Sequence, residues 1–74
     1  MAKEIVVDCV GLEPPEPLER VLQAISTMGR DEYICMLIDR EPVPLYRILE
    51  RNGYDHKTRY TGEGIYEVTI RFAP

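Results

Sequence analysis

Few side chains in this sequence could do covalent or coordination chemistry. The thiols are Cys9 and Cys35, and the one imidazole is His56. A thiol carries sulfur or attacks as its thiolate, which needs an electropositive, partly exposed setting. Cys9 falls near the carboxyl end of a short alternating apolar segment. A sulfur-transfer or redox role is one reading of that position. The other is a small core residue facing a helix, and buried thiols are usually inert. Cys35 lies inside the nearly continuous apolar run from Tyr33 to Ile38, where burial is the stronger reading. The two segments could be neighbouring strands, but a disulfide is not expected in the cytoplasm. Two thiols and one imidazole, with no C-x-x-C or H-x-x-x-H spacing, do not make a structural zinc site. No metal and no cofactor are expected. His56 is expected to be exposed on an outer strand.

The densest polar cluster is Asp39-Arg40-Glu41, followed by Tyr46. Arg40 could clamp a carboxylate or phosphate as a planar double donor. The N-termini of two following helices would assist an anion there. Against this, Glu13, Glu16, Asp39 and Glu41 crowd the same region with negative charge. The competing reading is that Arg40 pairs with those carboxylates and fixes loop geometry. The candidate binding residues are therefore Glu13, Glu16, Asp39, Arg40, Glu41 and Tyr46. A basic protein surface fits their charge better than an anionic ligand.

These residues must be positioned by regular elements. Glu4–Val10 reads as a strand, with Ile5, Val7 and Cys9 on one face and Val6 and Asp8 on the other. Prolines at 14, 15 and 17 lead into a helix, where a missing N–H is tolerated in the first turn. Leu18, Val21, Leu22, Ile25 and Met28 form its apolar stripe, and Gly29 offers a left-handed stop. Glu32–Asp39 reads as a central strand. Leu45, Ile48 and Leu49 mark a second helix, ended by Asn52-Gly53. Tyr54–Tyr60 and Gly64–Phe72 read as a hairpin around Thr61-Gly62-Glu63-Gly64. The tyrosines at 33, 46, 54, 60 and 66 are expected to be half-buried packing residues. The order β-α-β-α-β-β predicts an α+β two-layer sandwich: two helices on one face of a four-stranded mixed sheet.

At 74 residues, with 45% apolar and 30% charged side chains, the chain is one domain, 1–74, around one small core. Its net charge is −4. Residues 1–39 hold three basic and eight acidic groups; residues 40–74 hold six and five. That front half speaks against general nucleic-acid binding, which needs a basic face. No apolar run resembles a leader or a membrane span, so a cytoplasmic location and no membrane partner are expected. The bare sheet face, with Val6 and Val10, leaves room for weak homodimerisation.

Two motifs carry a resemblance. Asp8-Cys9-Val10-Gly11-Leu12-Glu13-Pro14-Pro15-Glu16-Pro17 resembles the D-x-x-G-L-x-C-P-x-P signature of the TusA/SirA sulfur-carrier family; Asp8, Gly11, Leu12, Pro15 and Pro17 match. Asp39-Arg40-Glu41-Pro42-Val43-Pro44-Leu45-Tyr46, with the G-L-x-P-P-E-P form of the first motif, resembles an uncharacterised bacterial branch of that superfamily, domain of unknown function 2249. The resemblance covers almost the whole chain and implies the same sandwich. In the sulfur carriers the cysteine before the first matching proline holds a persulfide at a helix N-terminus. Pro14 occupies that position here, and proline has no sulfur to carry. The resemblance therefore brings a frame without its usual chemistry. The leading expectation is a non-catalytic protein-interaction or regulatory module, not an enzyme. The alternatives are sulfur or redox chemistry through Cys9, and a small anion or cofactor held between Gly11–Pro17 and Asp39–Tyr46.

Overall fold

A computed structural model describes residues 3–74 of the chain. Met1 and Ala2 lie outside the described residues. Strand β1 is Lys3–Asp8, helix α1 Glu16–Thr27, strand β2 Glu32–Ile38, helix α2 Val43–Arg51, strand β3 Tyr54–Tyr60 and strand β4 Tyr66–Phe72. The sheet runs in the order β1-β2-β4-β3. β1 is parallel to β2, β2 is antiparallel to β4, and β4 is antiparallel to β3. The fold is the α+β two-layer sandwich expected from the element order.

The register sorts the two faces. Ile5 opposes Ile34, which opposes Ile70, so this row points to the helices. Ile34, Met36, Ile38, Val68 and Ile70 are buried there with Cys9, Val21, Met28, Leu45 and Leu49. Val6 opposes Cys35, which opposes Thr69, and this row points away. The two cysteines therefore sit on opposite faces of the sheet, and both are free thiols. On the outer face the apolar side chains are interrupted by charge. Arg71 covers the Tyr33 ring at 4.5 Å, and Arg59 pairs with Glu67 at 2.9 Å. Val6 stays exposed between Glu4 and Asp8. This alternation weighs against a continuous apolar surface for a second copy.

Four expectations are corrected. Gly29 is not left-handed. Met28 ends α1 in an extended conformation, and the Gly29 N–H donates to Glu32 Oε1 at 2.6 Å. A Cβ there would meet that carboxylate at 3.2 Å, so closeness rather than φ is what suits glycine. Leu22 belongs to the apolar stripe yet is 40% exposed. α1 lies over β1 and β2 while α2 lies over β3, so the helices splay and Leu22 borders the furrow between them. His56 is half-buried on the helix-facing side, stacked on Tyr46 with ring centroids 4.3 Å apart. Tyr60 is mostly exposed at the hairpin, where its hydroxyl accepts the Gly64 N–H.

Candidate functional site

Because β1 and β2 are parallel neighbours, the loops that follow them leave from the same edge of the sheet. The first loop is built from its own motif residues. Asp8 Oδ1 accepts the Val10 N–H at 3.0 Å, closing a local turn that ends β1 before Val10. Leu12 N–H reaches Cys9 O at 3.3 Å, and Gly11, third in that turn, has φ +81°. Leu12 then packs against the core. Replacing Gly11 by alanine is expected to cost about 1–2 kcal/mol, the usual penalty of a side chain in left-handed backbone. A urea midpoint unchanged from wild type would contradict this account of the turn.

The second loop is fastened to the first. Asp39 Oδ2 accepts the Gly11 N–H at 3.4 Å. Glu41 Oε2 accepts the Tyr46 hydroxyl at 3.2 Å, and the same hydroxyl is hydrogen-bonded to Thr58 on β3. Tyr46 thus joins the loop, α2 and β3. Arg40 stands apart. Its Nε lies 3.9 Å from Asp39 Oδ1, and its side chain is half exposed. Glu16 pairs with Arg20 at 3.1 Å one helical turn on, and Glu13 is exposed beside the prolines.

Between the loops opens a cleft of 350 Å³. Its floor is Met36 and Ile38 from β2, its sides are Leu18 and Leu45, and Arg40 and Glu41 stand at its rim. Five of the six prolines in the chain line it: Pro14, Pro15, Pro17, Pro42 and Pro44. The Pro14–Pro15 peptide bond is cis. Of the six candidate binding residues, the cleft gathers only Arg40 and Glu41. Asp39 and Tyr46 hold the loops in place, while Glu13 and Glu16 flank the cleft in sequence. The apolar lining escaped the sequence reading, in which the prolines served only as helix starters. Their shared signal was a proline cluster in each of two loops expected at one edge.

The same prolines change what the helix starts can bind. Helix N-termini hold anions through free N–H groups. In α1 the Glu16 N–H goes to Glu13 O at 3.0 Å, the Glu19 N–H goes to Pro15 O at 3.1 Å, and Pro17 has none. In α2 the Val43 N–H goes to Glu41 O, the Leu45 N–H goes to Pro42 O, and Pro44 has none. At each helix start proline thus removes one donor and a turn bond takes the donor before it, which trims the help for an anion.

Cys9 is fully buried, with Sγ 3.9 Å from the carbonyl oxygen of Pro17. Burial pushes its thiol above the ordinary 9.0, against an opposing pull from Arg20. Burial also raises Cys35, and it raises Tyr46 above 10.0 against the hydrogen bond from Thr58. In each case the folded chain keeps a proton that the unfolded chain loses. Stability is then full below pH 9 and falls as pH rises through the alkaline range. Urea midpoints measured from neutral to alkaline pH should decline, and less steeply for Cys9→Ala. A rise would reverse the sign of this linkage.

Among the described residues no group of three or more His, Cys, Asp or Glu is arranged to hold a metal ion. Among them, too, no helix is long and apolar enough to cross a membrane.

The chain's sequence and fold have known counterparts. Residues 6–71 match the family described as uncharacterized conserved protein, DUF2249, and the chain belongs to that family. Its structure is similar to the crystal structure of the SirA-like protein from Desulfitobacterium hafniense. That match has a TM-score of 0.81 and 25% identity over 100% of both chains. The sandwich is thus SirA-like. No curated protein matches the sequence.

Proposed function

We propose that this chain is a non-catalytic interaction module of the cytoplasm, docking a protein partner on the edge formed by its two motif loops. One observation carries the reading. Where a SirA-like frame brings two loops and two helix starts together, this chain presents an apolar cleft walled by prolines. Proline walls are stiff, so little conformational entropy is lost when a partner is seated. They also lack N–H donors, which favours apolar side chains over oxyanions or a persulfide.

The test is affinity capture from the native cells with wild type and two variants. Arg40→Ala/Glu41→Ala alters the rim, and Leu18→Asp charges the cleft. Circular dichroism melts show whether each variant stays folded. A protein recovered by wild type and lost from both folded variants supports the reading. Equal recovery by all three removes the edge from consideration.

A small-molecule reading keeps one observation in its favour: Arg40 faces the cleft with only a loose partner. A ligand with an apolar body and an anionic head would then raise the melting temperature with concentration, and Arg40→Ala would abolish the rise. The sulfur reading through Cys9 has no comparable support, because that thiol is enclosed in the core.

A further inference from the structure

Resting on that docking reading, we infer that the partner presents a basic segment with one bulky apolar side chain at its centre, seated in the proline-walled cleft. The cleft selects the anchor. Its interior offers Leu18, Met36, Ile38, Leu45 and proline rings, so a side chain gains by leaving water there. Five prolines deny it the N–H row that adding a backbone strand would need.

The rim selects the flanks. Of the acids on loops 11–17 and 39–44, Glu16 is paired with Arg20 and Asp39 lies beside Arg40, which leaves Glu13 and Glu41 as the carboxylates in excess. Glu41 lines the cleft, and its Oε2 is held by the Tyr46 hydroxyl, so a carboxylate is fixed beside the anchor position. A Lys or Arg next to the anchor would make a charge-assisted hydrogen bond to it. A carboxylate in that place would face Glu41 and find Arg40 beside Asp39. Charge therefore sets orientation and encounter rate, and the apolar cleft supplies the hold.

Three synthetic peptides test this in amide-resolved NMR titrations of the full chain: Lys-Lys-Phe-Lys-Lys, Lys-Lys-Ala-Lys-Lys and Glu-Glu-Phe-Glu-Glu. The first should shift Leu18, Met36, Ile38, Glu41 and Leu45. Its binding should weaken as salt rises. The alanine peptide should bind about tenfold more weakly or worse, the effect of losing a modest hot spot. Glu41→Gln should weaken the first peptide while the melting temperature holds. If the acidic peptide matches or exceeds the basic one at the cleft, docking survives and the basic-segment inference fails. If alanine serves as well as phenylalanine, the anchor fails. If no peptide shifts the cleft but octanoate does, and Arg40→Ala abolishes that shift, the docking reading itself fails.

Discussion

Native Cys9 is expected to react with iodoacetamide on the order of a thousand-fold more slowly than the same thiol in the unfolded chain. The reason is enclosure. Cys9 has no exposed surface and packs among Val21, Ile34, Met36 and the rest of the helix-facing core. Reagent reaches it only when that core opens. Even the lower end of ordinary domain stability, about 5 kcal/mol, keeps the open state below roughly one part in a thousand. Burial also raises the thiol, which further thins the thiolate at neutral pH. Cys35 supplies an internal comparison, since it is only half-buried on the outer face. It should label first. Native labelling of Cys9 near the unfolded rate would mean a thiol poised for chemistry.

Ile34→Ala should destabilise the fold by about 2–5 kcal/mol, the range for emptying a fully buried aliphatic site. Ile34 is fully buried at the centre of β2, between Ile5 of β1 and Ile70 of β4 on the same face. Both neighbours are fixed by backbone pairing, so the hole cannot readily collapse. A domain of this size has a small total margin. The urea midpoint should fall by a large fraction while the slope of the transition stays unchanged. A loss below about 1 kcal/mol would mean that the core repacks.

The sandwich was legible because periodicity carries it. Val68 and Ile70 alternate with outward residues on β4, and Val21 is buried on α1 with Leu18 and Ile25 packed against the same core, as spaced. β3 has the ends that its flanking Asn52-Gly53 and Thr61-Gly62 suggest. What periodicity could not supply was how far apart the helices sit. Leu22 follows the stripe faithfully and still meets the furrow, because α2 lies over a different strand. A place on an outer strand suggests an exposed His56. The helix-facing row through Ile70 and a stacked Tyr46 place it inward.

The candidate site was half legible. Parallel adjacency of β1 and β2 was enough to bring Gly11–Pro17 and Asp39–Tyr46 to one edge. The roles within that edge were not. Asp39 and Tyr46 drew attention as polar residues, yet their hydrogen bonds hold the two loops. The apolar cleft depends on three separate segments meeting, Pro14–Leu18, Met36–Ile38 and Pro42–Leu45, and no spacing rule announces such a meeting.

Cysteine desulfurase and free cysteine, followed by intact mass under non-reducing conditions, probe the main proposition at its root: this edge seats a partner and handles no sulfur. Wild type should keep its unmodified mass. An added sulfur atom on wild type that disappears in Cys9→Ser, and that a thiol acceptor can remove, would contradict it.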